Sequence, residues 1–155
     1  SDRVKTGGGG WGRSDSNLKV GWSVSQDAVY QAAGAPGEGS NRGAAYVRAR
    51  NATTAQTMGF VVEPDTSSGD EFGKAVALSW PYLAVGAPGH GAQGAAFLYE
   101  YSAGSNSWIK IGGRVDPAAV GTSIPSFGTS TAVSPGMVLV GGKGSAVRAE
   151  GSERQ

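Results

Sequence analysis

Apolar positions along this chain fall in short runs that glycine or proline cuts, and no run is long enough for a helix. The pattern is clearest from residue 72 to residue 101. Lys74 to Ser79 alternates, with Ala75, Ala77 and Ser79 on one face and Lys74, Val76 and Leu78 on the other. The breaker pair Trp80-Pro81 follows, and the apolar run Tyr82-Leu83-Ala84-Val85 closes on Gly86-Ala87-Pro88-Gly89. A second glycine-rich turn, Gly91 to Gly94, leads into Ala95-Ala96-Phe97-Leu98-Tyr99-Glu100-Tyr101. Short runs rich in valine and aromatics, bounded by glycine and proline, predict strands.

Copies of this stretch lie on either side. Upstream, Val20-Gly21-Trp22-Ser23-Val24 runs to Gly34-Ala35-Pro36-Gly37 and then to Gly43-Ala44-Ala45-Tyr46-Val47. Downstream, Phe127-Gly128-Thr129-Ser130-Thr131 runs to Val138-Leu139-Val140-Gly141-Gly142. Gly21, Gly73 and Gly128 are spaced 73 − 21 = 52 and 128 − 73 = 55. Gly34, Gly86 and Gly141 repeat those intervals, 86 − 34 = 52 and 141 − 86 = 55. Two markers holding register across three copies define a repeat, and a repeat of this period means an array of like units.

Each unit has room for a fourth strand. Trp108-Ile109-Lys110-Ile111 stands between turn signals in the second copy, and Phe60-Val61-Val62-Glu63 ends at Pro64-Asp65 in the first. Four strands repeated at this spacing predict an all-β fold of antiparallel propeller-type blades. Phe72-Gly73 with Gly86-Ala87-Pro88 resembles the FG-GAP repeat, which builds the seven-bladed propeller of integrin α subunits and of many secreted or surface proteins. The first copy keeps Gly34-Ala35-Pro36 but has Val20-Gly21; the third keeps Phe127-Gly128 but has Gly141-Gly142-Lys143. The organisation expected is a glycine-rich arm over 1–19, blade 1 over 20–71, blade 2 over 72–126, a partial blade 3 over 127–150 and a frayed tail over 151–155. Blade 1 should have strands near Trp22–Gln26, Val29–Gly34, Ala44–Arg50 and Met58–Glu63.

Composition narrows the function classes. The 155 residues include 27 glycines and no cysteine, so there is no disulfide framework and no thiolate chemistry. A net charge of +1 gives no electrostatic footprint for nucleic acid or a membrane surface. No run approaches a membrane-spanning length, and the start at Ser1 reads as a processed or trimmed end. The family resemblance favours an extracellular, cell-surface or organelle-lumen setting over cytoplasm.

Repeat arrays need their end units covered, because each exposes a face made to stack on a neighbour. Two full blades and a partial third therefore imply a fragment of a longer propeller, a ring completed by copies of the chain, or a large partner over both ends. The expected function is a non-catalytic scaffold, a small accessory subunit packed on a larger protein or complex, or on further blades of the same protein. Candidate contacts are Trp11 on the arm, Arg48 and Arg50 beside Tyr46 on the third strand, and Trp80 and Tyr82 at the blade 2 turn. Trp11 serves equally as an anchor on a partner or as packing on the first blade; the arginines could meet an acidic partner, but a charged outer face of this kind is usually only solvated. Trp80 and Tyr82 read as a ligand platform or, as is commoner for such residues, as cover for the rim of a blade. The long connection from Asp116-Pro117 to Pro125-Ser126 is another place for specific contacts.

Two alternatives belong to other classes: a carbohydrate-recognition or adhesion module stacking sugars on Trp22, Trp80 and Tyr82, and a remnant propeller hydrolase using His90. FG-GAP repeats of the integrin type often bind calcium through an acidic D-x-D-x-D-G loop. Ser25-Gln26-Asp27-Ala28, Ser79-Trp80-Pro81 and Ser134-Pro135-Gly136 stand in its place with one acid between them, so no metal is expected. Asp65, Asp70 and Glu71 read as an exposed turn. His90, the only histidine, reads as solvated, and no serine stands in a G-x-S-x-G elbow. Glu63, Glu71 and Glu100 fall in different parts of a blade and make no carboxylate pair across a cleft. Gly7, Gly9 and Gly12 match G-x-G-x-x-G without the strand and helix that motif needs. Asn51-Ala52-Thr53 is a formal glycosylation triplet. No cofactor is expected.

Overall fold

The computed structural model describes residues 16–50, 57–61, 63 and 65–150. Trp11 and the rest of the arm to residue 15, the Asn51 triplet and the tail over 151–155 lie outside the described residues. Among the described residues, eleven strands form three antiparallel sheets. Blade 1 holds β1 (Ser23–Gln26), β2 (Tyr30–Ala35), β3 (Ala44–Ala49) and β4 (Thr57–Val61) in the order 1-2-3-4. Blade 2 holds β5 (Ala75–Ser79), β6 (Tyr82–Ala87), β7 (Ala95–Ser102) and β8 (Ser107–Lys110) in the same meander. Blade 3 has three among the described residues, β9 (Ser130–Ser134), β10 (Met137–Gly142) and β11 (Ser145–Glu150). This is the all-β, incomplete propeller-like array that the repeat predicts, with strand ends shifted by a residue or two.

Two-residue turns close both hairpins of blade 3, where glycine takes the left-handed conformation that matches strand twist. Gly136 (φ 79°) does so between β9 and β10, and Gly144 (φ 87°) between β10 and β11. That second turn is the departure of blade 3. In blades 1 and 2 a long Gly-Ala-Pro loop joins the second and third strands, and the next blade's phenylalanine docks at its far end. Phe72 forms a parallel bridge to Gly43, and Phe127 forms one to Gly94.

Register across blades explains the glycine spacing. The amides of Gly21, Gly73 and Gly128 donate to the carbonyls of Gly34, Gly86 and Gly141 at 2.9, 3.0 and 2.9 Å, so each marker pair closes its own blade. Between blades the contact is backbone on backbone. A β-carbon on Gly34 would lie 1.8 Å from the carbonyl oxygen of Gly73, which only glycine permits.

The blades stack with a large face against a small one. Between blades 1 and 2, Ala32, Ala45 and Val47 meet Phe72, Leu78, Leu83, Val85 and Phe97. Between blades 2 and 3, Ala77, Ala84 and Ala96 meet Phe127, Val138, Val140 and Val147. Both faces of blade 2 are thus buried, and Phe72 and Phe127 sit fully buried between blades. Polar groups on β1 add a seam. Ser23 Oγ donates to the Gly73 carbonyl at 2.9 Å, and Ser25 Oγ and Asp27 Oδ2 each accept from a blade 2 amide, Leu78 and Trp80, at 3.0 Å. No described helix is long and apolar enough to cross a membrane.

Candidate functional site

The strand period of two decides which side chains lack a neighbour. Val24 on β1 is 69% exposed, whereas Val76, one repeat on (76 − 24 = 52), is 7% exposed against blade 1. At the other end, Leu139 on β10 is 46% exposed, whereas Ala84, one repeat back (139 − 84 = 55), is fully buried against blade 3. Met137 shares the open face of blade 3 with Leu139 by strand alternation and is 39% exposed. The same positions that hold the stack together inside it are therefore uncovered at both ends.

The blade 2 turn carries Trp80 and Tyr82, read from the sequence as a ligand platform or as cover for the rim of a blade. Trp80 is half-buried and packs against blade 1, where its amide donates to Asp27. Its ring stacks on Tyr30 with centroids 3.9 Å apart and meets Tyr101 and Trp108 at 5.0 and 6.0 Å. Tyr82 faces the other way and lines a groove of about 570 Å³ between blades 2 and 3, together with Leu98, Glu100, Val133, Val138 and Ala149. Trp22 is exposed, with the Lys74 ammonium 4.4 Å over its ring. Tyr46 is buried rather than outward, its hydroxyl donating to Glu38 at 3.1 Å, while Arg48 donates to Gln31 at 3.1 Å. Arg50 is exposed and reaches the Ala28 carbonyl at 3.5 Å. The candidates thus do not converge on one spot.

A polar cluster that the sequence did not reveal sits where the first fourth strand returns to blade 2. Glu63 is fully buried and accepts from the Tyr99 hydroxyl, in a short hydrogen bond, and from Lys110 Nζ at 2.9 Å. Lys110 also reaches Asp65 at 3.0 Å. Burial first, and then the hydrogen bond and charge of Glu63, push the Tyr99 phenol far above its ordinary range. The hydrogen bonds to Glu63 and Asp65 raise Lys110, and the Lys110 contact in turn holds Asp65 low. Tyr99 and Lys110 are cross-strand partners on β7 and β8, whereas Glu63 follows β4 of the preceding blade, so no local motif announces the contact.

His90 and Asp70 were expected in solvent and are not. His90 Nδ1 lies 2.7 Å from Asp70 Oδ2, with side-chain exposures of 13% and 11%. The imidazole meets Phe97 edge-on at 5.7 Å, and Asp70 also accepts from the Ser67 amide at 2.8 Å. The turn is held in because Gly89 must pass close to the backbone of Gly69 and Asp70. Among the described residues, Asp70 is the one side chain hydrogen-bonded to His90, and no group of three His, Cys, Asp or Glu is placed to hold a metal ion.

Asp27, the lone acid of the short blade 1 turn, has a structural use. Burial acts to raise its carboxyl, but the amides of Tyr30, Val29 and Trp80 together outweigh that and hold it below 3.8. It closes its own turn and ties blade 1 to blade 2.

Residues 60–99 match the FG-GAP repeat family, a span running from the end of blade 1 through the third strand of blade 2. No curated protein matches the chain significantly.

Proposed function

We propose that this chain, which carries an FG-GAP repeat, is a non-catalytic binding and scaffold module that packs on a larger protein or complex through the open faces of blades 1 and 3. The observation that carries the reading is the pairing of positions across repeats. Val24 and Leu139 stand in solvent where Val76 and Ala84 stand in the stack. Apolar side chains placed by the fold for a neighbouring sheet mark an interaction surface. A scaffold role also suits His90, whose described side-chain hydrogen bond is to Asp70 and not to a hydroxyl nucleophile.

Light scattering on the purified chain tests this. The isolated protein should gain mass above 15.6 kDa as concentration rises, and Val24→Arg with Leu139→Arg should return it to 15.6 kDa without loss of folding. A wild-type chain that stays folded and monomeric throughout would overturn the reading.

A further inference from the structure

The two Gly-Ala-Pro loops meet the connection to the next blade in different ways. The carbonyls of Arg42 and Gln93 each accept the amide of the next blade's phenylalanine, Phe72 and Phe127, at 3.0 and 2.7 Å, so the two residues hold one position. Val61 pairs with Ala45, two past Gly43, and Val115 with Ala96, two past Gly94, so Glu63 and Pro117 correspond as well. In the first loop the Arg42 guanidinium spans the gap and donates to the Glu63 carbonyl at 3.1 Å. In the second, Gln93 is shorter and uncharged, and its Oε1 accepts from the Ile124 amide at 3.0 Å. The space left is a pocket of about 190 Å³ with Gln93 and Pro117 on its wall, beside His90, Gly91, Arg114 and Asp116. None of these residues belongs to the open faces of blades 1 and 3.

The wall of this pocket offers donors. Asp116 holds the Arg114 guanidinium by its Nε at 2.7 Å, which leaves the two terminal nitrogens without a partner among the described residues. The amides of Gly91, Ala92 and Gln93 donate to no backbone carbonyl among the described residues. His90 spends Nδ1 on Asp70, so Nε2 is the ring nitrogen left for the pocket. His90 is two past Pro88 as Glu38 is two past Pro36, so an acid of blade 1 is replaced here by a base. A guanidinium edge, loop amides and an imidazole around a small space are the partners of a planar anion, and Asp70 behind the ring offsets the charge of an imidazolium.

We propose that this pocket binds a carboxylate, held at two points by the terminal nitrogens of Arg114, with His90 Nε2 and the loop amides on its remaining lone pairs. An ionised Asp70 can only accept, so Nδ1 keeps its hydrogen, and Nε2 has one to donate only in the imidazolium. Binding therefore takes up a proton, and affinity falls as pH rises. The charged groups around the ring are Asp70 and Asp65 on the preceding connection, Lys110 across Phe97, and Arg114 and Asp116 on the following connection. A free small acid and an acidic side chain of a partner polypeptide present the same group.

The probes are sodium acetate and the peptide acetyl-Gly-Asp-Gly-amide, each titrated into the whole chain and followed by the amide signals of Gly91 to Gly94. Saturable shifts are expected there, with a Kd of about 10 mM or lower. Arg114→Gln, a change in a mostly exposed ion pair, should weaken binding at least about tenfold. Arg114→Lys should weaken it several-fold, because lysine keeps the charge without the fork. Affinity should fall at least about fivefold from about pH 6 to about pH 8, and His90→Gln should remove that dependence. Both probes test the one site: a peptide at least about tenfold tighter than acetate assigns it to an acidic side chain, and equal affinities assign it to a free acid. No shifts from a folded chain up to about 100 mM acetate would overturn the proposal. So would equal binding of acetyl-Gly-Asn-Gly-amide, or binding that Arg114→Gln leaves unchanged. If the pocket fails while Val24→Arg with Leu139→Arg still abolishes self-association, the carboxylate site falls and the binding-module reading stands.

Discussion

A β-carbon placed on Gly86 would stand 1.9 Å from the carbonyl oxygen of Gly128, the same approach that Gly34 makes to Gly73 one repeat earlier. The two blades meet backbone to backbone at that point, so neither partner has a side chain to move aside. At Gly141, the third member of the series, the nearest atom is the Ser130 hydroxyl at 2.3 Å, which can rotate away. Gly86→Ala should therefore cost about 3 kcal/mol in stability and Gly141→Ala less than about 1 kcal/mol. Urea denaturation of the two variants measures the difference; equal costs would mean that blades 2 and 3 do not meet as described.

Glu63 is fully buried between a phenol and an ammonium. Removing it leaves the Tyr99 hydroxyl orphaned inside the stack, so Glu63→Ala should destabilise by about 3 kcal/mol. The alkaline limb carries a second expectation. The fold raises Tyr99 above 10.0 and Lys110 above 10.5, so it favours their protonated forms. Their contribution is complete below about pH 10 and falls as pH rises further, because the unfolded chain releases those protons first. Tyr99→Phe should flatten that fall, in denaturation curves taken between about pH 8 and about pH 11.

Asp27 carries the opposite sign. Its carboxyl is held below 3.8, so its contribution is present above that value and is lost as pH falls through the folded value. Asp27→Ala should cost about 1–2 kcal/mol at neutral pH, from the lost turn and the lost Trp80 amide contact. Its stability should then depend less on pH at the acid end than that of the parent.

The glycine series was legible in the sequence because a backbone-on-backbone contact admits one residue type, and so the marker recurs at fixed intervals. Phe72 and Phe127 were legible for a similar reason, each filling one kind of slot between blades. Glu63, Tyr99 and Lys110 were not, since their contact spans 36 and 47 residues and follows from strand pairing in two different blades. His90 looked solvated because glycines flank it, yet those glycines are what allow its turn to fold back onto Asp70. The groove had a signal that position-by-position comparison of the copies makes visible: tryptophan at 80 becomes proline at 135.

Trp80 holds the first interval through its stack on Tyr30, so Trp80→Ala should destabilise the chain by about 2–4 kcal/mol. A sugar-stacking tryptophan on the surface would instead leave thermal unfolding unchanged when removed. Calorimetry of this single variant separates the two.

Amide hydrogen exchange resolved strand by strand tests the stacking order most directly. With blade 2 covered on both sides and blades 1 and 3 on one, the amides of Val76, Leu83 to Val85 and Phe97 should be the slowest, with β1 and β11 fastest. Exchange that is fastest in blade 2, or uniform across the three blades, would contradict it.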